Sequence, residues 1–233
     1  MRSPVIVHED NHLLIVDKPA GMLSQGDDTG DRTVLDWGKR YIKHQYEKPG
    51  AVWLGLAHRL DRPTSGLIAL ARTSKALGRL QPMFAERAVA KTYLAVVRGH
   101  ITDEAQRLVH WLVHDPTVKR MRAHTSERQA GKGAKRAELG YRLLARVGDH
   151  SLLEVQPLTG RRHQIRAQLA AAGHPIEGDL RYGDRQATAD KSIGLHAYRL
   201  QFEHPVGKAP VDVSSAPAPE QAFTPFAEVL EEM

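Results

Sequence analysis

HRLDRPTSGL, residues 58–67, is the densest group of polar and charged side chains between apolar segments of this chain. The apolar segments on either side of it predict two strands. Asp61 lies between Arg59 and Arg62, and neighbouring cations favour the ionised form of a carboxyl group. Polar side chains held beside buried strands are costly unless they pair or bind a ligand. The segment therefore predicts either a functional carboxylate or an Asp that only fastens two strands together.

A second polar segment, TGRRHQIR at 159–166, opens an amphipathic pattern that predicts a helix over 161–172. The first N–H groups of such a helix are free to bind an anion. Arg162 and Arg166 are four residues apart and would repel each other, which favours a bound anion or a buried carboxylate between them. A basic surface helix is the alternative.

The third segment, KTYLAVVRG at 91–99, alternates like a strand. Tyr93 lies on the opposite face from Leu94 and Val96, where an aromatic ring can stack on a nucleobase. The alternative is a tyrosine that fills the core or an edge of the sheet.

The positive charge is concentrated in one stretch. The chain has 233 residues and a formal net charge of +6. Residues 117–136 hold seven Lys and Arg against one Glu, so the rest of the chain sums to zero. This basic segment, 117–136, predicts a loop or hairpin tip that binds a polyanion with strong salt dependence. The alternative is a solvated charged loop.

Composition excludes several classes of protein. The chain contains no Cys, which excludes disulfides, thiolate zinc sites and a cysteine nucleophile. Its apolar runs are far shorter than the roughly 20 residues of a membrane helix, and no signal or transit peptide is recognised, so we expect a cytoplasmic protein. The 13 His residues show no metal-ligand spacing, and no glycine-rich phosphate loop is present, so no metal is expected.

Strand patterns outnumber helix patterns and mostly follow one another directly. They predict an α+β fold with a mixed, mostly antiparallel central sheet flanked by helices. We expect a single domain over 1–233, with no separate N-terminal RNA-binding domain and an acidic tail at 214–233. The predicted strands are 5–9, 13–17, 52–57, 67–71, 91–97, 108–113, 138–145, 152–155 and 195–202. The predicted helices are 33–46 with Thr33 as N-cap, 74–87, 161–172 and 225–232.

Taken together, the motifs resemble those of the RluA-type RNA pseudouridine synthases. They occur in the family's order and cover nearly the whole chain. The matching motifs are DKPAG (17–21), HRLD (58–61) with TSGL (64–67), KTYLA (91–95), LTGR (158–161) with HQIR (163–166), and GHPI (173–176) with GD (178–179).

This resemblance implies the isomerisation of uridine to pseudouridine within RNA, without a metal or organic cofactor. Asp61 would be the essential carboxylate, acting either as a nucleophile or as a base. Tyr93 would pack on the target base and assist proton transfer at C5, and Arg166 would pair with Asp61. Arg59 would enter the RNA stack where the uridine is flipped out.

His58 and Thr64, which flank Asp61, are assigned to substrate binding on the same resemblance. The substrate is expected to be ribosomal or transfer RNA, and the uridine is left open. A monomer is favoured. Two other hypotheses are a non-catalytic RNA-binding protein on the same fold and a metal-dependent hydrolase built on the His residues.

Overall fold

A computed structural model describes residues 2–218 and 221–233. The chain divides into two compact units, which are described separately. Unit 1 contains the residues up to Lys91 together with Ala197–Pro217, and unit 2 contains Thr92–His196 together with the described residues of Ala218–Met233.

The described part of the chain contains strands, α-helices and 3₁₀ turns. The strands are β1 Val5–Glu9, β2 Leu13–Lys18, β3 Gly55–Leu56, β4 Ser65–Ala71, β5 Ala90–Arg98, β6 Ala105–Asp115, β7 Arg120–His124, β8 Lys135–Val147, β9 His150–Pro157, β10 Leu195–Glu203 and β11 Pro210–Ser214. The helices are α1 Val34–Gln45, α2 Ser74–Ala85, α3 Glu127–Ala130, α4 Gln164–Ala171 and α5 Ala227–Glu231, and the 3₁₀ turns are Leu180–Tyr182 and Gln221–Phe226.

Unit 1 is built on the strand order β1-β2-β4-β10, with β3 beside β4 and β11 beside β10. β2 and β4 pair antiparallel, with Leu14 opposite Leu70 and Asp17 opposite Leu67. Both strands are almost entirely buried, which explains why they read as apolar runs without alternation. One core cluster joins Leu13 and Leu67 to side chains of the helix α2. The Asp61 segment therefore leads directly into a rigid buried strand.

Unit 2 is built on the strand order β5-β9-β8-β6-β7. The pairs β5–β9, β9–β8, β8–β6 and β6–β7 are all antiparallel. The helix α4 packs on this sheet, where Ile165 and Leu169 join a core cluster with residues of β5, β8 and β9. The sheet thus places Tyr93 on β5 and Arg166 on α4 within the same unit.

The structure confirms the predicted α+β class and its mostly antiparallel pairing. Helix α1 begins where predicted, because the Thr33 side chain accepts a hydrogen bond from the Asp36 N–H at 3.0 Å and Asp36 caps in return. Strands β7 and β11 were not predicted. The predicted strand 52–57 shortens to β3.

The predicted acidic tail, 214–233, is described only in part. It includes Pro219 and Glu220, which lie outside the described residues. Within the described part of the chain, no helix has the length and apolar character needed to cross a membrane. The single-domain prediction stays a prediction.

Candidate active site

Asp61 begins a tight turn that leads into β4. Its carbonyl oxygen accepts a hydrogen bond from the Thr64 N–H at 3.1 Å. Gly66, two residues further on, has φ +109°, and a Cβ there would lie 2.4 Å from the Ala197 carbonyl oxygen. Only glycine allows this close approach of the backbones of β4 and β10. The turn that begins at Asp61 therefore leads into Gly66, a position that backbone packing defines closely.

The residues on both sides of Asp61 are fastened to the segment 18–24. The Ser24 hydroxyl donates to the Leu60 carbonyl at 2.8 Å and accepts from the Leu60 N–H at 3.1 Å. The Gly21 N–H donates to the Arg62 carbonyl at 2.7 Å, and Arg62 Nε donates to the Gly21 carbonyl at 3.1 Å. We call these four bonds the Asp61 clamp. They fix the position of Asp61 without using its carboxylate.

Lys18 stabilises the clamp through hydrogen bonds to backbone carbonyls. Its side chain is completely buried, and its amine donates to the carbonyls of Met22 at 2.9 Å, Pro19 at 3.0 Å and Arg62 at 3.4 Å. Burial lowers the pKa of Lys18 to about 7, although the negative charge of Asp61 acts in the opposite direction. Lys18 belongs to the DKPAG motif at 17–21, for which the sequence pattern predicted no role.

His58 and Thr64 make contacts inside unit 1. His58 Nε2 accepts a hydrogen bond from the Ala69 N–H at 2.9 Å, and its ring stacks on Phe84 with centroids 4.2 Å apart. Burial, with a smaller effect of Lys91, lowers the pKa of His58 to about 3, so the ring is neutral near pH 7. The Thr64 hydroxyl is buried and has no hydrogen-bond partner among the described residues. Their predicted contacts with substrate stay predictions.

Two other predicted residues are placed differently. Arg59 is exposed in the loop between β3 and β4, two residues before Asp61. Tyr93 is partly buried on β5, opposite Val155 of β9, and packs against the core cluster of unit 2. Its ring is thus partly a core side chain and partly accessible.

Arg166 is buried, and its guanidinium is bound to a carboxylate of the same unit. Arg166 Nε lies 2.6 Å from Asp179 Oδ2, and Nη2 lies 2.9 Å from Asp179 Oδ1. The side chains are 5% and 2% exposed, so this bidentate pair is shielded from water. The guanidinium also lies over the Tyr182 ring, 5.0 Å from its centroid. The sequence predicted a buried carboxylate partner but named Asp61; Asp179 is the described partner, and the pairing with Asp61 stays a prediction.

Tyr182 connects this centre to β7 and to the start of α4. Its hydroxyl oxygen accepts from the Met121 N–H at 2.9 Å and lies 2.9 Å from His163 Nδ1. The tautomer of His163 decides which of the two groups donates the proton in this contact. Neither Asp179 nor Tyr182 was assigned a role from the sequence. A GD motif followed by an aromatic residue was the signal available.

The start of α4 differs from the prediction. His163 is the N-cap and has the left-handed φ of +49°, so the helix begins at Gln164 instead of Arg161. The Arg161 N–H donates to Gln164 Oε1 at 3.0 Å. The expectation of a free N–H at Arg161 for an anion is therefore wrong. Among the residues that the structure describes, no group of three His, Asp or Glu side chains is arranged to hold a metal ion.

Asp61 lies in unit 1, whereas Tyr93 and Arg166 lie in unit 2, and their action in one site stays a prediction. The family profile described as RNA pseudouridylate synthase matches residues 12–171. The chain belongs to this family.

Curated relatives support the same assignment. The chain is 36% identical over 214 residues to a protein of Vibrio cholerae called ribosomal large subunit pseudouridine synthase C, covering 89% of this chain and 64% of the relative. It is 34% identical over 213 residues to the protein of that name from Escherichia coli K12, covering 87% of this chain and 63% of the relative. The chain thus spans just under two thirds of the length of these relatives.

Solved structures show the same fold. The human protein RNA pseudouridylate synthase domain containing 4 superposes with a TM-score of 0.77 at 23% identity, over 97% of this chain and 92% of that chain. The human protein RNA pseudouridylate synthase domain containing 1 superposes with a TM-score of 0.73 at 26% identity, over 99% of this chain and 96% of that chain.

Proposed function

We propose that this protein isomerises uridine to pseudouridine in RNA. In this reaction the bond between N1 and C1′ breaks and C5 of the same ring bonds to C1′. C5 loses its proton and N1 ends with one, so the composition of the nucleotide is unchanged. No electrons are exchanged with another molecule, and the proposal names no cofactor.

The observation that carries the proposal is the Asp61 clamp within a chain of this family. All four bonds of the clamp go to the neighbours Leu60 and Arg62. Asp61 is partly exposed. The clamp supports its backbone position, and none of the clamp bonds neutralises its carboxylate. Such an arrangement suits a group that must meet a substrate in a defined place. Asp61 acts as a nucleophile or as a base.

The other roles follow the resemblance. Tyr93 packs on the target base and assists the proton transfer at C5. Arg166 holds and orients the reacting carboxylate, and its own orientation is supported by Asp179 and Tyr182. Arg59 enters the RNA stack at the flipped uridine.

The proposed substrate is ribosomal RNA of the large subunit, because the curated relatives carry that substrate in their names. Transfer RNA is the alternative substrate. The proposed location is the cytoplasm, and the proposed oligomeric state is a monomer.

The basic segment, 117–136, is proposed to supply part of the RNA affinity. In the structure it comprises the tip of the β6–β7 hairpin, β7, α3 and the start of β8. Arg122 pairs with Asp115, whereas Lys119 is exposed at the hairpin tip. Replacing Lys119, Arg120 and Arg122 by Gln should reduce the salt dependence of RNA binding by about 0.7 to 0.9 units of slope for each phosphate that the variant no longer neutralises. An unchanged slope would remove this part of the proposal.

The test of the function is a pseudouridine map of total RNA from a strain that lacks the gene, compared with its parent. We expect one or a few signals to disappear, to return with the wild-type gene, and to stay absent with Asp61→Asn. If the pseudouridine signals disappear from transfer RNA alone, transfer RNA replaces ribosomal RNA as the proposed substrate. If purified wild-type protein also makes no pseudouridine in transcripts of either RNA class, the isomerase proposal is wrong.

A further inference from the structure

The short 3₁₀ turn Leu180–Tyr182 joins the support of Arg166 to an exposed surface of unit 2. Asp179, whose carboxylate binds Arg166, directly precedes Leu180. Tyr182, whose ring lies under Arg166, is the last residue of the turn. Consecutive Cα atoms are about 3.8 Å apart, so the side chain between these two supports starts close to the arginine centre.

Leu180 is nevertheless the most exposed large apolar side chain among the described residues of unit 2. Its side chain is 57% exposed, while its neighbours Asp179 and Tyr182 are buried. A single exposed leucine on a surface requires no explanation by itself. Here, however, the buried side chains of Asp179 and Tyr182 fix the backbone of the turn. Leu180 is therefore exposed to solvent in a defined position.

The surface around Leu180 is positively charged. Arg181 is exposed, and Arg120 of β7 donates from Nη1 to the Arg181 carbonyl at 3.1 Å, which brings a second guanidinium to the turn. The two acids of the same segment do not offset these charges at the surface. Asp179 is bound to Arg166 and Asp184 is bound to Arg98, and both carboxylates are buried.

An exposed apolar side chain on a turn that also carries two guanidinium groups fits RNA better than it fits a protein or a membrane. Guanidinium groups bind phosphates, and apolar wedges insert against unstacked bases in complexes of proteins with nucleic acids. RNA recognition commonly uses bases that are splayed out of the stack.

We propose that Leu180, Arg181 and Arg120 form an RNA-contacting ridge, in which Leu180 packs against an unpaired base near the target uridine and the two arginines bind the adjoining phosphates. This inference rests on the proposed function and adds a substrate contact to it. Leu180 and Arg181 lie outside the segments assigned a role from the sequence, whereas Arg120 also belongs to the basic segment.

The test uses the full-length protein and a transcript that contains the site lost in the deletion strain, or a 23S-type ribosomal fragment if no site is lost. RNA affinity is measured by equilibrium binding in the Asp61→Asn background, where no turnover occurs. Leu180→Ala should weaken binding by about three- to ten-fold, the loss expected for one apolar contact. Leu180→Met should restore most of it.

Leu158→Ala is the matched control. Leu158 is also an exposed leucine of unit 2, at 46%, but it lies between β9 and α4. We expect its replacement to change RNA affinity by less than about two-fold. Both leucine variants should melt at the wild-type temperature, because neither side chain is buried.

The arginines give an independent readout. Arg181→Gln should reduce the slope of log affinity against log salt by about 0.7 to 0.9, while Leu180→Ala should leave the slope unchanged. Equal effects of Leu180→Ala and Leu158→Ala, or no measurable binding of RNA by the parent protein, would overturn the ridge. Selective weakening by Leu180→Ala, together with wild-type protein that makes no pseudouridine in the same transcript, would support the ridge and reject the isomerase function.

Discussion

Asp61 and Arg166 are held in place by different kinds of bonds, although we propose that they act in the same reaction. In unit 1, the clamp binds the backbone of Leu60 and Arg62 and the hydroxyl of Ser24, so Asp61 is positioned through its neighbours. In unit 2, the guanidinium of Arg166 is itself the bonded group, in a buried pair with Asp179.

The difference teaches what each residue is able to do. The four clamp bonds do not depend on the charge of Asp61, so they persist when that charge changes. A side chain that is half of a buried ion pair must keep its charge, because removing either partner leaves an uncompensated charge in the interior. The carboxylate is thus suited to reaction and the guanidinium to support.

The largest expected effect separates chemistry from folding at Asp61. Asp61→Asn should reduce the rate of pseudouridine formation by at least about 10²- to 10⁴-fold, the usual contribution of a catalytic acid or base. The four clamp bonds to Leu60 and Arg62 are retained in the variant, so the loop backbone should keep its position. Single-turnover rates and thermal melting measure the two effects. A rate within about ten-fold of wild type would break the comparison.

Asp179→Asn should have the opposite profile, with a large loss of stability. It leaves the Arg166 charge buried beside a neutral partner, which costs about 3–5 kcal/mol of unfolding free energy. The matched control is Asp212→Asn, which breaks an equally bidentate but exposed pair with Arg199 and should cost less than about 1 kcal/mol. Denaturant unfolding gives both values, and similar costs would show that burial does not dominate.

Ser24→Ala tests the clamp directly. It leaves the N–H and the carbonyl of Leu60 without their partner, which should cost about 1–3 kcal/mol, and the less restrained loop should lower kcat more than it raises KM. The control is Ser126→Ala, which removes the exposed N-cap of α3 and should leave kcat unchanged. An unaltered kcat in Ser24→Ala would mean that the clamp stabilises the fold without positioning Asp61.

The buried amine of Lys18 should make the unfolding free energy depend on pH above neutrality. Its pKa falls from 10.5 to about 7 on folding, so between these values the unfolded chain binds a proton that the folded chain does not. Stability should therefore rise with pH from about 7 to 10.5, by up to about 1 kcal/mol per unit. Lys18→Met should abolish this rise, whereas Lys208→Met at an exposed pair should retain it. Unfolding at pH 7, 8 and 9 measures the slope.

His58 gives the corresponding acidic window. Its pKa falls from 6.5 to about 3, so the unfolded chain alone takes up a proton as the pH drops through this range, and stability is lost from about pH 6.5 downward. His58→Gln keeps an acceptor for the Ala69 N–H but does not titrate. The variant should reduce the loss of unfolding free energy in acid by up to about 1 kcal/mol per pH unit. Parallel acid curves for wild type and variant would contradict the neutral, buried ring.

Local patterns were sufficient for much of the fold. The Thr33 cap predicted the start of α1, and alternation predicted β1 and β5 to within one residue at each end. Strand β7 was missed because its five residues include two arginines and a histidine and are mostly half-exposed, which reads as a loop. Helix α4 starts late because the left-handed conformation of His163 and the Gln164 side chain satisfy the preceding turn.

The sequence by itself determined the α+β class, the order of the motifs and the choice of Asp61, Tyr93 and Arg166 as the candidate residues. The class follows from hydrophobic patterns that the chain carries locally, and the three residues follow from the family resemblance of the motifs that contain them. Only the tertiary structure decided how those residues are supported. The Ser24–Leu60 bonds, the burial of Lys18 under Arg62 and the Arg166–Asp179 pair join positions 36, 44 and 13 residues apart. Their strength comes from exclusion of water, and no local pattern records which distant groups will share a dry environment.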